Sequence, residues 1–340
     1  MVKEIIVGIP CEIMPHEGRI PLFPASMEKL INECADICTV CFAVQNGLGA
    51  TLGITSKTWK QAGAQVCEKR TVYRRADIIL KVKQPFLQEV SLYHSGQMCA
   101  CFHHTKTNSE VIQILLNKNV IIAPFEYYRP ALAAMSYEAG MRIATMLDHL
   151  CGDSWKQEHI FFGGGRGMVC QTAVAQCRRM GIPAQRIHAC DINGGLFFSE
   201  KMRMSYMTFS GQDEAELCEW LQKCRVLVLA AVDSQGAPRF LKSAHLDLLP
   251  DGAVIVQVSI DEGGNIDDPE FQRVTYWDDP SYEVRRGSKR FTVCNIPDIP
   301  GCLSPESASV ALDQANFWYY SNIIGSFPEL MPGFRYVHCG

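Results

Sequence analysis

The chain has 340 residues and a formal net charge of −4, with 47% apolar and 20% charged residues. This length favours two domains, and the composition supplies hydrophobic cores and excludes a disordered chain. The acidic balance argues against a nucleic-acid partner, and no apolar run approaches the roughly 18 residues that span a membrane. Since the N-terminus also lacks the pattern of a secretory signal peptide, we expect a cytoplasmic protein with no membrane partner.

Cysteine is unusually frequent, with 16 residues. Cys38 and Cys41 form a C-x-x-C pattern inside a predicted strand, where side chains three apart point to opposite faces. Cys99 and Cys101 share a strand face, but no second pair follows at the spacing of a zinc ribbon. We therefore expect reduced thiols that act as small core residues, and no metal site.

Short apolar runs alternate with amphipathic segments along the whole chain, which predicts mostly parallel sheets covered by helices. In the first part, strands are predicted at 5–9, 37–44, 77–82, 98–102 and 120–123, and helices at 24–34, 86–94 and 107–117. A connector helix follows at 136–150. In the second part, strands are predicted at 160–162, 187–190, 226–231, 253–258 and 291–294, and helices at 168–180, 214–224 and 307–324.

This pattern predicts an α/β protein of two Rossmann-like domains with doubly wound sheets, joined by long helices and with the active-site cleft between them. The last helix starts after Ser304 and is expected to return to the first domain. We therefore predict a discontinuous substrate and catalytic domain, residues 1–135 plus 303–340, and a nucleotide-binding domain, residues 136–302.

A glycine cluster lies between a predicted strand and a predicted helix, which is the arrangement that seats a pyrophosphate on helix N–H groups. Gly163 can make the tight turn, Gly165 lets the backbone approach the phosphates, and Gly167 completes the cluster. The third glycine of the usual fingerprint is replaced by Met168. A tight strand–helix turn without a ligand is the alternative.

The next predicted strand ends at Asp191, where an acidic side chain can bind an adenosine ribose. The carboxylate would repel a 2′-phosphate, and residues 192–195 contain no arginine or lysine that would bind one. The sequence therefore predicts NAD rather than NADP as the cofactor. A solvated aspartate at a strand end is the alternative.

Three polar segments follow predicted strands of the first domain. They contain Glu12, Glu17 and Arg19 in the first, Lys81 and Lys83 in the second, and His103 and His104 in the third. Because ligands bind at the carboxyl ends of parallel strands, these side chains could converge on one crevice.

At these residues the sequence resembles the alanine dehydrogenase and pyridine nucleotide transhydrogenase family, over residues 4–325. The motifs that carry the resemblance are the Gly-Ile-Pro opening with its Glu and Arg, and residues 80–85, 96–104, 134–136, 191–193, 256–264, 279–280 and 294–297. A fainter resemblance extends to the lysine-forming saccharopine dehydrogenases, which share the lysine and histidine pair.

The resemblance implies roles for the first-domain residues. Arg19 would clamp the substrate carboxylate, since a guanidinium offers two parallel donors; a surface arginine is the alternative. Lys83 would bind the substrate carboxylate or keto oxygen. His104 would be the general acid–base, with a structural histidine as the alternative. We place Lys81 on the other face of the strand and expect it to be solvated.

In the nucleotide-binding domain, the resemblance implies that Asp261 faces the reacting centre or the nicotinamide ribose. It also implies that Ser136, Asn295 and Ile296 contact the cofactor. The chain departs from the family at Met168, in the short segment 151–158, after Gly211 and in its C-terminal tail.

The leading functional prediction is NAD-dependent oxidative deamination of an L-amino acid, by hydride transfer from the α-carbon to nicotinamide, or the reverse reductive amination. The substrate would be a small amino acid or 2-oxo acid, and the resemblance implies a homo-oligomer. One alternative is a saccharopine- or opine-type dehydrogenase acting on a secondary amine. The other is a transhydrogenase-like NAD(H)-binding module without its own substrate, although such a module would not need Arg19, Lys83 and His104 together.

Overall fold

The computed structural model describes residues 3–233 and 235–327. In this part of the chain the strands are β1 (Lys3–Ile9), β2 (Cys38–Gln45), β3 (Gln65–Cys67), β4 (Ile78–Lys83), β5 (Met98–Phe102), β6 (Ile121–Pro124), β7 (His159–Gly163), β8 (Ile187–Asp191), β9 (Gly195–Ser199), β10 (Met204–Ser210), β11 (Cys224–Leu229), β12 (Leu241–Lys242), β13 (Val254–Gln257), β14 (Ile266–Asp267), β15 (Tyr282–Arg286) and β16 (Lys289–Cys294).

The α-helices of the same residues alternate with these strands. They are α1 (Pro24–Glu33), α2 (Ser56–Gln61), α3 (Lys69–Arg75), α4 (Leu87–Val90), α5 (Ser109–Asn117), α6 (Arg129–Cys151), α7 (Met168–Arg179), α8 (Glu214–Lys223), α9 (Ser243–Leu246), α10 (Ile299–Leu303) and α11 (Pro305–Ser326). No helix among residues 3–233 and 235–327 combines the length and the apolar character that a membrane span requires.

The chain divides into two compact units. One contains the residues up to Met135 together with those from Ser304 onward, and the other contains Ser136–Leu303. Residues 328–340, which belong to the predicted first domain, lie outside the described residues. The assignment of the substrate to one unit and of the dinucleotide to the other stays a prediction.

The first unit has a sheet in which all described strands run parallel, in the order β3-β2-β1-β4-β5-β6. The apolar sequences of β1 and β5 suit strands covered on both faces. Because β1, β4 and β5 are neighbours in the sheet, the three polar segments that follow them start at the same edge. The sheet topology therefore brings together residues that are distant in the sequence.

The second unit has a mixed sheet in the order β15-β16-β13-β11-β7-β8-β10-β9. Its central strands are parallel, and the two edge strands, β9 and β15, pair antiparallel to their neighbours. The prediction of a two-domain α/β fold with mostly parallel sheets is confirmed. The hairpin β9–β10 and the edge strand β15 are additions that the sequence reasoning missed.

Candidate active site

The ends of β4 and β5 bring a lysine and a histidine together. The Lys83 Nζ lies 3.5 Å from the His104 Nε2. Both residues are buried, with 4% and 9% of their surface exposed. His104 has a φ of 49°, a left-handed conformation that non-glycine residues adopt at a cost and that is frequent at functional sites. An amine and an imidazole in this position can exchange a proton with each other or with a bound molecule.

Glu12 connects the segment after β1 to the end of β4. Its Oε1 accepts hydrogen bonds from the backbone N–H groups of Val82, at 2.6 Å, and Lys83, at 3.4 Å. Burial raises the pKa of the Glu12 carboxyl, and the positive charge of Lys81 opposes that rise. This carboxyl therefore holds the backbone of Lys83 in place, a role that the sequence reasoning did not assign to it.

Lys81 is fully buried, so the expectation that it is solvated is wrong. Its Nζ lies 3.1 and 3.2 Å from the two oxygens of Glu89, and 3.2 Å from Glu12 Oε2. Burial alone would lower the pKa of Lys81, but the two carboxylates raise it above its ordinary value. Lys81 and Lys83 are two apart in β4 and therefore share a face of the strand. A register irregularity in the β4–β5 pairing lies between Leu80 and Lys83.

Arg19 is also buried, with 5% exposure, and a neighbouring carboxylate holds it. Its Nε donates to Glu17 Oε1 at 2.8 Å, and its Nη2 donates to Glu17 Oε2. Its Nη1 lies 3.2 Å from the Met135 Sδ. The guanidinium plane is thus fixed by Glu17, whose spacing from Arg19 was the available sequence signal. The predicted contact of Arg19 with a substrate carboxylate stays a proposal.

The glycine cluster of the second unit connects β7 to α7. The N–H groups of Gly164 and Gly165 donate to the carbonyl oxygen of Cys190 at 3.0 and 2.7 Å. Gly164 has a φ of 82°, and a Cβ on it would lie 2.7 Å from the Ala231 Cα. These two positions therefore need glycine because the chain approaches the ends of neighbouring strands too closely for a side chain.

Gly167 precedes the first residue of α7 and provides no side-chain cap. The first N–H groups of a helix lack partners within the helix and favour an anion at this end. Helices α6 and α7 approach each other closely at Gly140 of α6. A Cβ there would clash with the Val169 carbonyl oxygen of α7 and lie 2.7 Å from the Thr172 Cβ. Gly140 is a packing residue that the sequence reasoning missed.

Asp191 ends β8, and its carboxylate contacts the glycine loop. Its Oδ2 accepts the backbone N–H of Arg166 and its Oδ1 accepts that of Ile192, both at 2.8 Å. The Arg166 side chain lies on the turn that follows: its Nη2 donates to the Gly194 carbonyl oxygen at 3.1 Å, and its Nε donates to Thr208 Oγ1 at 3.2 Å. A positive charge therefore lies beside this turn although residues 192–195 contain none.

The other predicted residues of the second unit occupy different settings. Asp261 lies in a 3-10 turn after β13, and Ser136 lies half-buried on α6. The fully buried Asn295 donates from Nδ2 to the Phe271 and Arg273 carbonyl oxygens, at 2.7 and 2.9 Å. Ile296 packs in a hydrophobic core. The Asn295 amide thus cross-links its own unit, and the cofactor contacts of all four residues stay predictions.

The second unit, with a glycine loop between the first strand and first helix of a doubly wound sheet, has the architecture of a Rossmann-type α/β protein. The family model "Alanine dehydrogenase/PNT, N-terminal domain" matches residues 8–141, and "Alanine dehydrogenase/PNT, C-terminal domain" matches residues 142–328. The chain belongs to the alanine dehydrogenase/PNT family.

Individual relatives match along nearly the whole chain. An alanine dehydrogenase from Methanococcus maripaludis is 26% identical, with 97% of this chain and 92% of the relative covered. One from Mycolicibacterium smegmatis is 25% identical, with 93% and 86% covered. Among solved structures, an L-alanine dehydrogenase has a TM-score of 0.73 at 21% identity, with 96% and 92% covered. A transhydrogenase from Sinorhizobium meliloti has a TM-score of 0.71 at 21% identity, with 95% of both chains covered. The structural matches support the fold.

Proposed function

We propose that this protein catalyses the dinucleotide-dependent oxidative deamination of a small L-amino acid, with L-alanine as the first candidate, or the reverse reductive amination. The observation that carries the proposal is the buried contact between Lys83 and His104 at the ends of two parallel strands. The near full-length similarity to proteins named alanine dehydrogenase supports the choice of substrate.

In this proposal the first unit binds the amino acid and moves its protons. Arg19, oriented by Glu17, binds the substrate carboxylate with its guanidinium. Lys83 donates to the carboxylate or to the keto oxygen, and the proximity of its charge favours the polarised carbonyl. His104 accepts a proton as water adds to the imine carbon and returns one as ammonia leaves. Asp261 is proposed to act at the reacting centre from the second unit.

The second unit fits a dinucleotide, because its glycine loop leads directly into α7 and the first N–H groups of a helix favour an anion. We propose that Gly163, Gly165 and Gly167 bind the pyrophosphate, and that Asp191 binds the adenosine ribose. Ser136, Asn295 and Ile296 are the further contacts that the family resemblance proposes. A nicotinamide bound there would supply the acceptor for the hydride of the substrate α-carbon.

We propose NAD rather than NADP because the Asp191 carboxylate would repel a 2′-phosphate. The positive charge of the Arg166 guanidinium opposes this repulsion, because the guanidinium lies beside the turn that follows Asp191. Its Nε and Nη2 nevertheless have acceptors in Thr208 and Gly194, and the group lies 5.5 Å from the centre of the Phe197 ring. We therefore propose that the protein prefers NAD to NADP and that the positive charge of Arg166 reduces this preference.

The proposed location is the cytoplasm and the proposed assembly a homo-oligomer. None of the fifteen cysteines in residues 3–233 and 235–327 forms a disulfide, which supports a reducing compartment. Static light scattering on the purified chain tests the assembly, and a monomeric mass contradicts it.

A substrate screen tests the proposed function. Purified protein is mixed with NAD⁺ and L-alanine, other L-amino acids, saccharopine or opines, and NADH formation is followed by absorbance. We expect NADH with L-alanine or another small amino acid, and NADH oxidation when the 2-oxo acid and ammonium are supplied together. Activity that requires a second amino acid in place of ammonium supports the opine-type alternative. No turnover with any amine, while NADH still binds, overturns the proposal.

A further inference from the structure

A second group of reactive side chains lies along β5, separate from the residues used above. The Sγ atoms of Cys99 and Cys101 are 4.0 Å apart. A ring nitrogen of His103 and these two sulfurs all lie within 4.8 Å of one another. All three residues have no exposed surface. The sequence analysis placed the two cysteines on one strand face and did not extend that face to His103, two residues further on.

The spacing of the sulfur atoms suits a shared metal ion. With zinc–sulfur bonds of about 2.3 Å, a sulfur separation of 4.0 Å corresponds to an S–metal–S angle of about 120°, close to the tetrahedral value. The Tyr93 Oη lies 3.1 Å from the Cys99 Sγ and offers an oxygen donor for a fourth position. Three protein ligands with one further position is a coordination that zinc adopts.

His103 has the hydrogen bonding of a metal-binding histidine. Its Nε2 lies 3.0 Å from the Cys99 carbonyl oxygen, and this contact fixes the ring when Nε2 carries the proton. The Nδ1 of the same ring is buried and has no hydrogen-bond partner among the described residues. A buried ring nitrogen with an unused lone pair is uncommon in proteins, so the His103 ring has bonding capacity that no described residue uses.

The charge balance also favours a divalent ion. Two thiolates, one neutral imidazole and one divalent cation add up to zero, so the complex could be buried at low electrostatic cost. The side chains of Tyr73, Val90 and Leu115 belong to the core cluster around the site, and the charged groups that act on it are Glu126 and Lys81, which have opposite signs. Sulfur ligands select zinc over magnesium or calcium, which prefer oxygen.

We propose that Cys99, Cys101 and His103, with Tyr93 as the adjacent oxygen donor, form a buried binding site for a zinc-type divalent cation. The ion cross-links the carboxyl end of β5 to the segment after α4 that contains Tyr93. Because the ligands are fully covered, the ion enters as the first unit folds.

The chain offers a matched control in the second unit. Glu214, Cys218 and His245 form another group with metal-ligating atoms within 4.8 Å of one another. That group has a single sulfur and an exposed carboxylate, and the Glu214 Oε1 already lies 2.7 Å from the His245 Nε2. Cys218→Ser therefore removes a competing thiol and leaves the proposed site intact.

The test measures metal content and ligand type in the full chain. The protein is produced in zinc-supplemented cells, isolated without chelators and analysed by elemental mass spectrometry; a second sample is refolded with Co²⁺ for absorbance spectroscopy. We expect about one zinc per chain, and a cobalt spectrum with thiolate-to-metal charge transfer and intense tetrahedral bands. Cys101→Ser and His103→Leu should lose most of the bound metal, and Cys218→Ser should retain it.

The wild-type protein alone can overturn the proposal. Substoichiometric zinc together with a cobalt spectrum free of thiolate bands contradicts it, even if the variants fail to fold. Full metal retention in a folded Cys101→Ser protein also contradicts it. Loss of the metal in Cys218→Ser alone would assign the ion to the second unit instead.

Discussion

Replacing Lys81 by methionine tests the buried charge cluster that supports the candidate active site. Lys81 has no exposed surface, and its Nζ lies within 3.2 Å of oxygens of both Glu12 and Glu89. Glu89 would retain Lys69, whose Nζ lies 3.2 Å from Oε1, and the Tyr73 hydroxyl, which donates to the same oxygen at 3.1 Å. Glu12 would lose the cation that offsets its burial, and would keep only backbone N–H donors.

The expected loss of stability follows from this uncompensated carboxylate. Removing one partner of a buried ion pair costs about 3–5 kcal/mol, which increases the unfolded-to-folded ratio by roughly 100- to 5,000-fold. Urea unfolding of wild type and Lys81→Met at pH 8 measures this difference. Lys60→Met, at an exposed position, is the control and should change the free energy of unfolding by no more than about 0.5 kcal/mol.

The pH dependence has a defined sign. Burial already raises the pKa of the Glu12 carboxyl, and loss of the lysine charge raises it further. A carboxyl with a raised native pKa stabilises the protein when it is protonated, so the deficit of Lys81→Met is largest at pH 8 and narrows as pH falls through that pKa. The measurements are made above pH 5. The pKa of Glu89 is lowered in the folded protein, so the stability that its carboxylate contributes is lost at more acidic pH and would obscure the effect of Glu12.

A double variant separates charge from packing. Lys81→Met/Glu12→Gln removes the unpaired charge and keeps an oxygen for the Val82 N–H, so it should recover at least half of the lost free energy. A loss below about 1 kcal/mol for Lys81→Met, without pH dependence, would refute this reasoning and would mean that Lys81 is solvated, as the sequence suggested.

The other predictions concern the proposed chemistry. His104→Ala should lower turnover by about two to four orders of magnitude with NADH binding retained, measured by steady-state kinetics and fluorescence titration; near-normal turnover contradicts its role. Asp191→Ser should lower the ratio of kcat/KM for NAD to kcat/KM for NADP, and Arg166→Gln should raise this ratio. If neither variant changes the ratio, the ribose is bound by other residues. Gly164→Ala should weaken NADH binding at least tenfold, because its Cβ would meet neighbouring backbone. Gly181→Ala, at a φ of 83° but with no atom within 4 Å, should only lose about 1 kcal/mol of stability. Equal binding in both glycine variants contradicts the close packing of the loop.

Much of the fold could be predicted from local patterns. The sequence signals for β1, β5, β7 and α7 are apolar runs and a glycine cluster, which consist of residues adjacent in the chain. The structure has these elements within a few residues of the predicted bounds. The hairpin β9–β10 was missed because most of its residues are exposed or partly buried, and its longest buried run is two residues.

The errors in the candidate site came from contacts between distant residues. The partners of Lys81 lie 8 and 69 positions away, and no local pattern shows that Glu12 and Glu89 reach it. Arg166 donates to the carbonyl oxygen of Gly194 in the turn after Asp191, although the two residues are 28 positions apart in the sequence. His103 joins Cys99 and Cys101 because residues two apart in a strand share a face, but the predicted strand ended at residue 102 and this alternation was not extended to His103.

Isotope transfer tests the central claim most directly. The protein is incubated with NAD⁺ and L-alanine deuterated at the α-carbon, and the mass of the NADH formed is measured. We predict NADH that carries one deuterium, together with pyruvate and ammonium in equal amounts. Failure to transfer deuterium from any α-deuterated L-amino acid to the nicotinamide, in a protein that binds NADH, would contradict the proposed reaction.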